Sequence, residues 1–262
     1  MEETLRVIVY DSPGVEFGKP MRNDWHLTTW GYKAALESEG FRVFGENETT
    51  PDPGKDIAIY FDALLRPDHP PKHDKSLYIS LEPPVVNPRF YERIAGWPYT
   101  RILTMSRQHC VNSRIHWIPF PAVRYEPVTG PKVDRLCAVS TNHTHFQGRP
   151  GEMYSIRRAV YIALGKRLDL YGRGWERDPA IPHAVNYRGP CGSNYATFSR
   201  YKTALSIENQ YLEGYCSEKY WTPLQAGCEL QRIGWNPDYQ LTDCDQAAWG
   251  KYIAGHVREI RG

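Results

Sequence analysis

No stretch of this 262-residue chain is apolar for long enough to cross a bilayer, and no secretory signal of basic, apolar and small-residue segments is visible. An excess of one charge is missing as well. The 32 Lys and Arg against 30 Asp and Glu leave a formal net charge of +2, so composition alone gives no electrostatic reason to expect a polyanionic partner. The six cysteines, at 110, 137, 191, 216, 228 and 244, include no CxxC and no metal-ligand spacing. Several stand in apolar runs, as Cys137 does in LCAVS, which reads as a buried, reduced thiol. Repeats and low-complexity tracts are absent. The expectation is a soluble, cytoplasmic, reduced globular protein, in which the sequons at Asn47-Glu48-Thr49 and Asn142-His143-Thr144 are chance patterns.

A hydrophobic fraction of 41% and a charged fraction of 24% are ordinary for such a protein, and the length allows one or two domains. Eight Trp and eighteen Tyr suit an aromatic core, with sugar stacking as the other use. Apolar runs at 5–10, 41–46, 56–63, 76–82, 101–106 and 116–121 read as strands. Helical spacing after Asp24 runs to Gly40, and Pro88 opens a short helix in NPRFYERIAGW. EPVTGP, around Pro127 to Pro131, reads as a linker, after which the pattern restarts. Strands at 136–142 and 167–172 flank a helix from Met153 to Lys166, and a loop with Gly172, Gly174, Gly189 and Gly192 follows. A last helix, Gln246 to Ile260, is expected to cross back onto the first half. Alternating strands and helices imply mainly parallel sheets covered on both faces. The fold class is therefore α/β, with two Rossmann-like doubly wound domains, 1–130 and 131–245, facing a cleft, and 246–262 bracing the first.

Chemistry concentrates in Tyr201 to Gly234. A strand from Thr203 to Ile207 feeds Glu208 and Asn209, a helix opens near Ser217 and ends at Gly227, and Cys228 to Ile233 reads as a further strand. The opening of a helix beside the carboxyl end of a sheet favours anions, phosphate above all. Lys219 adds a full positive charge there, and Glu218 can accept hydrogen bonds from sugar hydroxyls. A nucleotide diphosphate-sugar fits that combination.

The order Tyr201-Lys202, Glu208-Asn209, Tyr215, Glu218-Lys219 resembles the signature of the α-1,3/4-fucosyltransferase family, YKFxLxFENSxxxxYxTEK. The resemblance implies a GT-B fold and an inverting transfer of fucose from GDP-fucose to a saccharide hydroxyl. SIRRAVYIAL is similar to the family's IRNAFYDAL segment, which implies that Arg157 grips the diphosphate, with Lys219 beside it and Arg158 pointing elsewhere. With two cations at two helix openings across the interdomain gap, no metal cofactor is expected. Asn209, Tyr215 and Glu218 are the remaining donor-binding candidates. Asn209 could instead satisfy the turn backbone, and Tyr215 could be a core residue. Tyr171-Gly172 resembles the family's YG, near the nucleotide or serving the turn. Glu82, at a strand end before Pro83-Pro84, loosely matches the family's ExP context and is the candidate general base; a solvated strand-end charge is the competing reading. Gln210 replaces the family's Ser, Ser217 its Thr, and Cys228-Glu229-Leu230-Gln231-Arg232 its apolar strand.

Two metal-like patterns read as structural. Asp243-Cys244-Asp245 matches DxD but lies before the terminal helix, where Asp245 makes an N-cap, and His143 and His145 lack a third ligand. Two rival functions stand beside the transferase of saccharides. One is a viral transferase that glycosylates modified bases in DNA, which gel-shift with duplex DNA separates. The other is a non-catalytic nucleotide-sugar or glycan-binding module, which detectable donor hydrolysis dismisses.

Overall fold

The computed structural model describes residues 5–10, 33–61 and 71–261. The chain forms two compact units, one of residues 1–121 with 238–262 and the other of 122–237. The sequence reading put the division at 130/131 instead. The difference lies in what precedes Gly130: the Tyr125 ring stacks on Tyr195 with centroids 4.2 Å apart, and the Val128 N–H donates to the Tyr195 hydroxyl at 3.2 Å, so this stretch packs on the second unit.

The first unit holds a six-stranded sheet in the order β2-β1-β3-β4-β5-β6. Its strands are β1 (Arg6–Tyr10), β2 (Arg42–Gly45), β3 (Ile57–Phe61), β4 (Lys75–Ser80), β5 (Arg101–Thr104) and β6 (Ile115–Trp117), and all pair in parallel. RVIVY, IAIYF and KSLYIS are buried almost throughout, as strands covered on both faces must be. Ile8, Tyr60, Tyr78 and Ile102 pack with Phe90 and Tyr91 of helix α1 (Pro88–Arg93). Of the helix expected from Asp24 to Gly40, residues 33–38 are helical and its beginning lies outside the described residues; so do residues 62 and 63 of the expected third strand.

The second unit holds five parallel strands in the order β11-β10-β7-β8-β9. They are β7 (Val133–Val139), β8 (Leu168–Tyr171), β9 (Asn186–Gly189), β10 (Tyr201–Ile207) and β11 (Glu229–Ile233). Helices α2 (Tyr154–Leu164), α3 (Ile181–Ala184), α4 (Asn194–Phe198) and α5 (Glu218–Gln225) connect them. The expected glycine loop after β8 therefore contains a strand and two short helices. Asn186-Tyr187-Arg188-Gly189 is an edge strand of mixed polarity, and edge strands need no apolar run to mark them.

Helices α6 (Leu241–Cys244) and α7 (Gln246–Arg261) return to the first unit. Trp249, Ile253, Ala254 and Val257 of α7 are almost wholly buried, and the Trp249 indole donates to the Pro119 carbonyl at 2.7 Å. Asp245 caps α7, its Oδ1 accepting from the Ala248 N–H at 2.9 Å, while Asp243 completes a capping box on α6. Both carboxylates of the DxD pattern are thus occupied by helix ends.

Candidate functional site

In the second sheet the chain runs outward through β7, β8 and β9, then returns to place β10 beside β7. Strand order reverses there, and in open parallel sheets ligands sit beyond the carboxyl ends of the two strands at such a point. The residues that follow β7 are Ser140 to Phe146; those that follow β10 are Glu208 and Asn209. Helices α2 and α5 bring Arg157 and Lys219 to the same residue, Glu208: Arg157 donates to its carbonyl, and Ser217, which caps the helix carrying Lys219, donates to its carboxylate. Both belong to residues 122–237, so the expected arrangement across an interdomain gap is corrected: the two cations share one unit. A crossover back to the same switch point explains it.

Glu208 is fully buried and holds the loop together. Its carboxylate accepts from the Ser217 N–H at 3.0 Å, the Ser217 hydroxyl at 2.6 Å and Arg232 Nη2 at 3.2 Å. Ser217 is the N-cap of α5, its Oγ accepting from the Lys219 N–H, so serine in place of threonine keeps the hydroxyl the cap needs. A Cβ on Gly234 would stand 2.8 Å from Glu208 Cγ, which requires glycine at that point. Arg232 enters from β11 as the counter-charge, with its guanidinium over the Tyr220 ring. Glu208→Gln would leave Arg232 buried beside a neutral amide, and a broken buried pair costs about 3–5 kcal/mol. A lowered denaturation midpoint by urea or heat is the expected outcome, and unchanged stability would refute this structural role.

Glu218 and Lys219 pair beside the cap, Nζ donating to Oε1 at 2.9 Å. Burial opposes the ammonium's charge, but Glu218 and Glu208 outweigh it and hold the lysine above its usual pKa. For Glu218, burial pushes the carboxyl up, and Lys219 more than offsets it, leaving the pKa lowered. The Glu218 side chain is 39% exposed and so accessible, whereas Glu208 is enclosed.

Arg157, expected to grip the diphosphate, is a buried side chain. It is 1% exposed, and its Nη2 donates to the carbonyls of Ile207 (2.7 Å) and Glu208 (2.9 Å) and to Asn209 Oδ1 (3.1 Å). Its Nε is buried with no hydrogen-bond partner, and its guanidinium lies 4.9 Å from the Tyr154 ring centroid. These partners are all neutral, and no carboxylate pairs with Arg157 among the described residues. Arg158, by contrast, forms a two-pronged pair with Asp178, at 2.6 and 3.1 Å, and so points elsewhere as expected. Asn209 bridges Arg157 and Tyr215, donating from Nδ2 to the tyrosine hydroxyl at 3.3 Å. Tyr215 itself is 2% exposed, within the packed interior.

The loop after β7 supplies His143, His145 and Phe146, whose rings contact one another and Tyr154. Beside it, Gly172 has φ +129, and a Cβ there would come within 1.8 Å of the Ser140 carbonyl oxygen. The glycine of the Tyr171-Gly172 pair serves this close approach of two strand ends. Gly172→Ala is expected to push the two strand ends apart and lower the thermal midpoint by several degrees; a wild-type midpoint would mean that the loop yields without cost.

Glu82 lies in the first unit, two residues beyond β4, and is half-buried. Its carbonyl accepts from the Tyr91 hydroxyl at 2.9 Å and from Ser80 Oγ at 3.4 Å, and Tyr91 also meets Thr104 Oγ1 at 2.9 Å. The Val86 and Asn87 N–H groups close a turn onto the Pro83 carbonyl. The backbone that carries the carboxylate is therefore fixed from both sides.

Sequence reasoning missed Arg232, which it saw only as part of an altered strand. The available signal was a cation facing inward on β11 at the position registered with Ser206, two residues before Glu208. It also missed the neutral surroundings of Arg157, which no linear spacing reveals. Among the described residues no group of three or more His, Cys, Asp or Glu could hold a metal ion, and no helix is long and apolar enough to cross a membrane.

A solved α1,3-fucosyltransferase with GDP is similar in structure over 98% of this chain and 80% of its own, at a TM-score of 0.51 and 13% identity. A second α1,3-fucosyltransferase structure is similar over 98% of this chain and 80% of its own, with a TM-score of 0.51 and 14% identity. A DNA-modifying β-glucosyltransferase, solved in the presence and absence of uridine diphosphoglucose, is similar over 98% of this chain and 89% of its own, with a TM-score of 0.57 and 12% identity. No family model and no curated protein matches the chain in sequence. At these identities the likeness is one of fold: two Rossmann-like α/β domains of the GT-B type.

Proposed function

We propose that the chain is an inverting glycosyltransferase that moves a sugar from a nucleotide diphosphate donor to a hydroxyl, with fucose from GDP-fucose and a saccharide acceptor as the leading pair. The observation that carries the reading is Arg157, a buried cation at the switch point of the second sheet whose partners among the described residues are all neutral. A buried charge is tolerated where a counter-charge is supplied, and a diphosphate supplies one. Lys219 stands at the opening of α5, where the positive end of the helix dipole also favours an anion. In this reading Glu218 accepts from donor hydroxyls. Asn209 and Tyr215 hold the strand end against which the donor lies, and no metal cofactor is required. Glu82 is the general base. It takes the proton of the acceptor hydroxyl as that oxygen attacks the anomeric carbon from the face opposite the leaving group. The bond from that carbon to the diphosphate oxygen breaks, and the electron pair leaves with the diphosphate. Arg157 and Lys219 stabilise the charge that develops.

A second reading, with DNA as the acceptor, is supported by the likeness to the DNA-modifying β-glucosyltransferase. Duplex DNA shifting in a gel, with a binding constant that falls as salt rises, would favour it. For either acceptor the test of the donor site is a thermal-shift series with GDP, UDP, GDP-fucose and UDP-glucose. Stabilisation by one nucleotide family, growing with concentration, is expected. No shift with any of them would overturn the reading, and binding without donor hydrolysis or transfer would leave a non-catalytic module.

A further inference from the structure

His143 is the group at the switch point that the proposed transfer leaves without a task. It follows β7 by four residues and lies edge-on to Tyr154, with ring centroids 6.0 Å apart. Tyr154 in turn carries the Arg157 guanidinium against its face. From the same loop, the His145 ring lies 5.4 Å and the Phe146 ring 5.6 Å from that of His143. Among the described residues no hydrogen bond reaches the His143 ring nitrogens, although the ring is half-buried. The charged groups that bear on it are all cationic or able to become so. Arg157 acts from α2, Lys219 from α5 and His145 from its own loop, while Glu218 and Glu208 are engaged by Lys219 and Arg232, and Glu152 by the Gly148 and Ser155 N–H groups.

Burial first, and then His145, Arg157 and Lys219, hold the His143 pKa below that of a free imidazole. With no anion beside it the ring is therefore neutral near pH 7. An anion seated against Arg157 and Lys219 reverses the field at that ring: the two cations that opposed its protonation are neutralised, and a negative charge faces it.

We propose that His143 takes up a proton from solvent when a diphosphate binds and becomes the third cation of the site, a diphosphate-binding residue made by the ligand itself. The inference rests on the donor-site reading above. No covalent bond changes; one proton passes from water or buffer to an imidazole nitrogen, which then donates to a phosphate oxygen. A group whose pKa is raised on binding contributes affinity below its bound-state pKa, and that contribution is lost as pH rises through it. Affinity supplied by His143 is thus present on the acid side and is lost as pH rises through the bound-state pKa.

The test is titration calorimetry of the full chain with GDP and with UDP, at pH 6 to 8.5, in pairs of buffers that differ in ionisation enthalpy. Wild type, His143→Gln and His145→Gln are compared, so that protons released by the nucleotide's own phosphate cancel. Wild type is expected to take up several tenths of a proton more than H143Q near pH 7. Its advantage in Kd should fall with pH by at most about tenfold per unit, the limit for one proton. H145Q should keep the uptake. If wild type binds a nucleoside diphosphate with the same proton count as H143Q, or if H145Q and not H143Q abolishes the uptake, the proposal is overturned while the donor site stands. Should H143Q fail to fold, wild type alone decides, since binding with no excess uptake at pH 6 to 7 overturns it. Absence of any nucleotide binding by wild type removes both.

Discussion

Lys219→Met is expected to lower kcat/KM by about 10²–10³-fold, the usual loss when one preorganised donor to a developing negative charge is removed. Methionine keeps much of the stem's volume and removes the ammonium. The lysine is held charged by Glu218 and Glu208 against the cost of burial, so it would meet a diphosphate as a full cation near neutral pH. Removing it does more than subtract a charge. Glu218, whose Oε1 accepts from Nζ at 2.9 Å, would then present an unpartnered carboxylate to the incoming phosphates. Nucleoside diphosphate affinity should therefore fall together with turnover, and initial rates with calorimetric Kd values measure both. Wild-type kcat/KM in this variant would remove Lys219 from the site. Arginine at this position restores charge but not the compact geometry beside Ser217, so Lys219→Arg should recover only part of the loss.

Glu82→Gln separates binding from chemistry. General-base catalysis contributes typically 10²–10⁴-fold, so turnover should collapse by that factor while nucleoside diphosphate affinity changes little. Glutamine keeps the size of the side chain. The hydrogen bonds from Tyr91 and Ser80 run to the backbone carbonyl, which the substitution preserves, so the turn before α1 is expected to stay in place. The donor-binding candidates Arg157, Asn209, Tyr215, Glu218 and Lys219 all lie in the other unit and retain their contacts. Full turnover by E82Q would show that another group takes the proton.

Strands buried on both faces were the most legible part of the fold. Runs such as RVIVY and IAIYF contain so little polar surface that a covered parallel sheet is the natural outcome. The cap at Ser217 could also be read directly, because a hydroxyl two residues before Lys219 ahead of a helical pattern has a local physical meaning. What stayed hidden depends on residues far apart in the chain. The Glu208–Arg232 pair forms because β10 and β11 lie side by side, and the placement of Arg157 with Lys219 follows from the return of β10 to the flank of β7. The depth of Arg157 was not legible for the same reason: the oxygens that enclose it come from residues fifty positions later. The edge strand Asn186–Gly189 escaped because it carries no apolar run.

The first unit is closed by α7, which fills it with Trp249, Ile253, Ala254 and Val257. On a ribosome, residues 122–237 emerge in one uninterrupted piece and can fold as they appear. The unit begun earlier must wait, its sheet lacking the cover that only the last stretch of synthesis delivers. Nascent chains arrested before residue 238 should thus carry a finished second unit beside a first that still exposes apolar surface, and it is there that a chaperone would be needed.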